Sequence, residues 1–126
     1  MGKKDQGKVA RGAKMKIDSY DFGSIMVDGK VYNSDVMIYP DRVEKWWRKE
    51  GHSVYKEDID KVIEEKPSVL VIGTGAYGYV KVSQEVFEYA EKNNIRLVVE
   101  STRKACEEYN NLSKTQKVVA ALHLTC

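Results

Sequence analysis

The stretch Ser68-Val69-Leu70-Val71-Ile72-Gly73-Thr74-Gly75-Ala76-Tyr77-Gly78 places the tightest limits on the fold. Val69 to Ile72 is a short, continuous apolar run, as expected of a strand buried on both faces. Gly73, Gly75 and Gly78 follow at G-x-G-x-x-G spacing. In a dinucleotide-binding unit such glycines make a tight turn, admit a pyrophosphate and open a helix within the motif. Here Tyr77-Gly78-Tyr79-Val80 is a poor first helical turn. The next good helix opens only at Ser83, an N-cap candidate before Gln84-Glu85-Val86-Phe87. A phosphate at the corner therefore lacks the free N–H groups of a helix N-terminus. The sequence predicts a strand-to-loop corner in which at least one of the three glycines takes a positive φ.

Around that corner the pattern alternates. Val69–Ile72, Ile95–Val99 and Val118–Leu124 read as strands, expected to be neighbours at the centre of one sheet. Helices are expected near residues 56–65, 83–93 and 102–112, with Pro67 closing the first. The first half reads differently. Residues 15–20 and 22–27 are β-prone, Asp28-Gly29 is a hairpin signal before Lys30-Val31-Tyr32, and Asp35–Tyr39 and Arg42–Trp47 follow as strands. The expected class is α/β: parallel strands covered by helices on at least one face, with an N-terminal β-meander lobe and about three helices.

A chain of 126 residues with 42% hydrophobic content suits one domain with a single sizeable core. No apolar run approaches the roughly 20 residues that span a bilayer, so no membrane partner is expected. Lys3, Lys4, Lys8, Arg11 and Lys14 face only Asp5 near the N-terminus, while the whole chain carries +2, so the remainder is slightly acidic. Residues 1–13 read as a solvated basic tail on a domain of residues 14–126, and nucleic acid is disfavoured as a partner. The Met1-Gly2 start does not match a myristoylation motif, because Gln6 stands where Ser or Thr is needed. With no export signal, Cys106 and Cys126 are expected to be reduced thiols without a disulfide, in a cytoplasmic protein.

Several residues taken in order resemble a known family. They are Phe22-Gly23 with Asp35 downstream, Gly51-His52 ahead of an acidic helix, and Lys66 through Gly75. Ala105, Tyr109-Asn110 and the closing run Val118-Val119-Ala120-Ala121-Leu122-His123-Leu124-Thr125-Cys126 complete the set. Over residues 15–126 the chain is similar to a small domain family of unknown function first defined on an archaeal protein. Its relatives include the adipogenesis-associated domain protein and, more distantly, a mitochondrial complex I assembly factor. The resemblance implies a three-layer fold around a mixed sheet, an architectural glycine corner and no established enzymatic activity. The basic N-terminus and Trp46-Trp47 depart from it.

The candidate residues divide by chemistry. His52 and His123 with Cys106 and Cys126 invite a metal reading, but His123 and Cys126, three apart in a strand, point to opposite faces, so no metal site is expected. Cys106, at helical spacing with Ala105 and Tyr109, reads as a buried apolar residue. Cys126, beside a terminal carboxylate that raises its pKa, is expected to be unreactive. His52, in a loop, either joins Asp35 in a polar cluster or holds the loop by a hydrogen bond. Trp46 and Trp47, adjacent in a strand, send one ring to each face, leaving one as a partner-binding anchor among Lys45, Arg48 and Lys49. Three functions follow. The leading one is a non-catalytic interaction or assembly module for an unidentified protein partner. The second is a small-molecule or nucleotide binder built on Gly73–Gly78, using Asp35, His52, Gly73, Gly75 and Tyr77. The third is a small enzyme using Asp35 and His52. No catalytic set and no cofactor are expected, and the oligomeric state is not legible.

Overall fold

Asp28 and Gly29 take φ of 48° and 81°, the pair of positive values that a type I′ turn demands. They close an antiparallel meander of β1 (Ile17–Asp21), β2 (Ser24–Val27) and β3 (Lys30–Tyr32). The computed structural model describes residues 15–126; the tail expected over residues 1–13 lies outside the described residues. β4 (Val36–Tyr39) and β5 (Arg42–Lys45) form a second hairpin through Pro40-Asp41. The two-residue strands β6 (Ser53–Val54) and β8 (Lys81–Val82) pair in parallel.

The second half supplies the rest of the central sheet. A 3-10 turn (Lys56–Ile59) runs into α1 (Asp60–Glu65), which stops at Lys66, left-handed with φ 51°, just before Pro67. Then come β7 (Val69–Thr74), α2 (Gln84–Lys92), β9 (Arg96–Glu100), α3 (Thr102–Leu112) and β10 (Val118–His123). The sheet order is β5-β4-β10-β7-β9. β10, β7 and β9 run parallel, and β4 is antiparallel to β10, so the sheet is mixed, as expected.

The period-2 alternation of the strands divides the core between two layers. Val36, Ile38, Val69, Val71, Val118 and Leu122 face the β1–β3 meander and α3. Met37, Tyr39, Leu70, Ile72, Val119 and Ala121 face α1, α2 and the 3-10 turn. Each fully buried Val, Ile or Leu contributes about 1.5–3 kcal/mol relative to exposure. β7 and β10 are buried at every position, because their neighbours in the sheet and both outer layers cover them.

Four expectations change. The strand at 95–99 neighbours β7 but forms the sheet edge rather than its centre: Arg96 and Glu100 bracket only three apolar residues, and β9 stays part-exposed. The last strand ends at His123, not Leu124. The strand expected through Trp47 stops at Lys45; Trp46 turns inward and donates its Nε1–H to the Asp58 carbonyl (2.9 Å). Ser83 does precede a helix, but its hydroxyl makes no cap and finds no hydrogen-bond partner among the described residues.

Candidate functional site

Asp35 enters β4 from a bend, and its carboxylate is shared three ways. Oδ1 accepts the Leu124 amide (2.9 Å); Oδ2 accepts His123 Nδ1–H (2.7 Å) and an Arg48 Nη2–H (2.9 Å). Burial acts to raise the Asp35 pKa, but the bonds from His123, the Leu124 amide and Arg48 together outweigh it. The carboxyl therefore titrates below its ordinary value. The same bond from the other side, chiefly the Asp35 contact, raises the His123 pKa against the opposing effect of burial.

Arg48 ties this pair to the next segment. Its side chain is 6% exposed, and its Nη1 donates to the carbonyls of Glu50 (3.1 Å) and Gly51 (2.9 Å). The guanidinium lies 5.1 Å from the Trp46 ring centroid. That clamp presents His52, whose carbonyl accepts the Lys81 amide (2.9 Å) and whose Nε2 lies 3.7 Å from Cys126 Sγ. Asp35 and His52 thus belong to one cluster, but they meet through Arg48, and the imidazole on Asp35 is that of His123.

The glycine corner makes room for the segment after β10. Gly75 (φ 107°) has no space for a side chain: a Cβ there would lie 2.5 Å from the Thr125 carbonyl oxygen. A Cβ at Gly73 would meet Thr102 Oγ1 at 2.8 Å. Thr102 accepts the Gly75 amide (2.8 Å) and donates to the His123 carbonyl. The Ala76 amide donates to the Thr125 carbonyl (3.1 Å), Gly78 N–H to Gly75 (3.2 Å) and Val80 N–H to Thr74 (3.1 Å). Four amides of the corner are already engaged, and the following helix starts at Gln84. The positive φ expected of the glycines is seen at Gly75 and Gly78. Tyr77 stands outward, 68% exposed, in contact with Phe22 and Tyr79 at centroid distances of 6.2 Å and 5.8 Å.

The corner also decides the position of Cys126, and here the sequence reading is corrected. Because β10 ends at His123, Thr125 and Cys126 leave the sheet, and the alternation that would send His123 and Cys126 to opposite faces no longer applies. Hydrogen bonds from His123, His52 and Thr125 pull the Cys126 thiol down to about 7, where the sequence reading had it raised and inert. Cys106 is buried as expected, and burial pushes its thiol up to about 12. Both cysteines are free, and among the described residues no group of three or more His, Cys, Asp or Glu is arranged to hold a metal. Sequence reasoning placed Arg48 only among the cations around the tryptophans, and of its two alternatives for His52 one set that residue, rather than His123, beside Asp35. The usable signal was a polar His-x-Thr-Cys ending on an otherwise apolar strand.

Of the tryptophans, Trp46 is buried and Trp47 is 73% exposed with the Lys45 ammonium 4.3 Å from its ring centroid. Trp47 borders a cleft lined also by Glu44, Lys45, Glu57, Asp58 and Lys61. Among the described residues no helix is long and apolar enough to cross a membrane.

The profile of a family described as protein of unknown function (DUF498/DUF598) matches residues 17–123. Among solved structures, a conserved hypothetical protein from Pyrococcus horikoshii superposes with a TM-score of 0.81 at 28% identity, over 88% of this chain and 99% of that one. A protein from Bartonella henselae, described as an outer membrane protein, gives 0.78 at 24% identity over 90% and 98%. A Bordetella pertussis protein described as an Mth938-like domain gives 0.59 at 17% identity over 91% and 87%. The last two likenesses are of fold alone.

Proposed function

The chain belongs to the DUF498/DUF598 family of proteins of unknown function, and from that premise we propose that it is a protein-interaction or assembly module whose contact face is the aromatic ladder Phe22–Tyr77–Tyr79. The ladder carries the reading. These rings are 57%, 68% and 64% exposed and lie in sequence contact from Phe22 to Tyr77 to Tyr79. Contiguous exposed aromatics on a small domain mark sites of association, and aromatic anchors dominate interface energetics. Both supporting turns are fixed: the Gly23 amide donates to the Leu124 carbonyl (2.9 Å), and the Ala76 amide to the Thr125 carbonyl. The partner therefore meets a preorganised surface, which lowers the entropy lost on binding. Trp47 is a second anchor, on β5's exit. The resemblance read over residues 15–126, whose more distant relatives include a mitochondrial complex I assembly factor, accords with a role in assembly.

Capture from the native host's lysate, followed by reconstitution with the captured protein, tests the reading. Tyr77→Ala with Tyr79→Ala should weaken the reconstituted complex by about thirtyfold or more, since an anchoring aromatic is worth about 2 kcal/mol at an interface. The melting temperature should be unchanged. A folded double variant that binds as tightly as the parent overturns the ladder as the contact face, and loss confined to Trp47→Ala moves that face to Trp47.

A further inference from the structure

Cys126 stands at the end of an ordered chain of groups. His123 Nδ1 lies 2.7 Å from Asp35 Oδ2 and 2.9 Å from Arg48 Nη2; with its proton assigned to the bond with the carboxylate, the neutral imidazole keeps its lone pair on Nε2. That nitrogen faces the segment of Thr125, whose Oγ1 lies 3.3 Å away, and of Cys126. On the other side of the thiol, His52 Nε2 lies 3.7 Å from Sγ. Carboxylate, imidazole and thiol thus follow one another in the order that activates a nucleophile, with a second imidazole opposite. The arrangement is built by four separate segments. Asp35 comes from the entry of β4, Arg48 and His52 from the connection between β5 and β6, and His123 from the end of β10. Gly75 clears the space in which Thr125 and Cys126 leave the sheet. All this lies beyond the carboxyl ends of the parallel strands β7 and β10, where open α/β sheets bind their ligands.

A second observation is independent of the thiol. The exposed rings of Phe22 and Tyr77 sit on turns bonded to the residues just before Cys126, at Leu124 and Thr125. Those backbone bonds tie the turns that carry the exposed rings to the segment that carries the part-exposed Cys126. Cys106 is buried, with no imidazole contact among the described residues.

We propose that Cys126 is a nucleophilic thiol that exchanges with disulfide-bearing substrates, with His123 as its base and Asp35 and Arg48 as positioning residues. In the step, the Cys126 proton passes to His123 Nε2 and the sulfur attacks one sulfur of the substrate disulfide. A new bond from Cys126 to that sulfur forms as the substrate S–S bond breaks. The departing thiolate takes the proton back from His123. The substrate disulfide is the oxidant, and one disulfide replaces another. The proposal stands apart from the interaction reading: it needs no protein partner.

The experiment follows the rate of reaction of the full-length protein with iodoacetamide and with 4,4′-dithiodipyridine across pH, with the modified cysteine located by peptide mass. The groups that set the midpoint are His123 and His52 against the sulfur, and behind them Asp35, which favours the imidazolium, and Arg48, which opposes it. Modification of Cys126 alone is expected in the native state, with a midpoint near 7 rather than the roughly 8.5 of an ordinary thiol, and Cys106 reacting only in denaturant. His123→Gln should raise the midpoint by about one unit. Should that variant fail to fold, His52→Gln, which leaves the Asp35–His123 pair intact, should raise the midpoint by a smaller amount. Oxidised glutathione and disulfide-bonded insulin, as a small-molecule and a protein disulfide, distinguish the two sources by which forms the mixed disulfide. An ordinary midpoint for Cys126, an unshifted midpoint in a folded His123→Gln or His52→Gln variant, or no mixed disulfide with either source overturns the proposal.

Discussion

Asp35, Arg48 and His123 show how one buried polar cluster is made tolerable. Each Asp35 oxygen accepts a bond, and Arg48 places one nitrogen on Asp35 and another on two loop carbonyls, although its Nε finds no partner among the described residues. Opposite signs of titration follow. His123 has a raised folded-state pKa, so the stability it contributes is fully present below 6.5 and is lost as pH rises through that raised value. Asp35 has a lowered one, so its contribution is present above 3.8 and is lost as pH falls through that lowered value. The pair is strongest between the two. In a Cys126→Ser background, which removes the opposing titration of the thiol, urea unfolding is therefore expected to give a lower free energy at about pH 9 than at about pH 6, and Asp35→Asn should flatten that slope. Asp35→Asn should also cost about 3 kcal/mol near pH 6, because it leaves Arg48 buried without its counter-charge. A variant with the parent's slope would show that the pair does not set the pH dependence.

At the scale of elements, the glycine corner couples β7 to the segment after β10. Gly75 and Gly29 both take positive φ, at 107° and 81°, but only Gly75 is crowded: a Cβ at Gly29 meets nothing within 4 Å. Gly29→Ala should cost about 1–2 kcal/mol from backbone strain alone. Gly75→Ala adds the collision with Thr125 and should cost about 3 kcal/mol or more, and it should displace the residues that carry Cys126. Equilibrium unfolding of the two variants checks the difference; equal losses would remove the packing role of Gly75. The strand, the corner and the late helix start were legible in residues 68–84, because apolar runs, glycines and helix-starting residues act locally. The engagement of the Gly75 and Ala76 amides was not, since Thr102 and Thr125 lie 27 and 49 residues away from the positions they bond.

For the molecule as a whole, the sheet's alternation sorts side chains between layers, and the two tryptophans report the sorting. Trp46 fills the layer of α1, α2 and the 3-10 turn, while Trp47 packs into neither core cluster. Trp46→Ala should lower the unfolding free energy by about 3–5 kcal/mol, the range for large aromatic truncations in cores. Trp47→Ala should stay within about 0.5 kcal/mol of the parent in the same urea titration. Comparable losses in both would mean that Trp47 is packed in the folded protein.

The sequence by itself determined the class: strand and helix alternation, the Asp-Gly hairpin and the three helices all follow from periodicity and turn chemistry within a few residues of each element, while the mixed sheet was implied only by the family resemblance. It also determined that Cys106 would be buried, since helical spacing places it beside Ala105 and Tyr109. Only the tertiary structure decided that Asp35 would meet His123 across 88 residues of chain and that Arg48 would hold both. The same holds for Cys126, which turns away from β10 to lie between two imidazoles. Such contacts depend on the order of strands in the sheet and on where a strand ends. Both are settled by burial summed over the whole core, which no local window of residues contains.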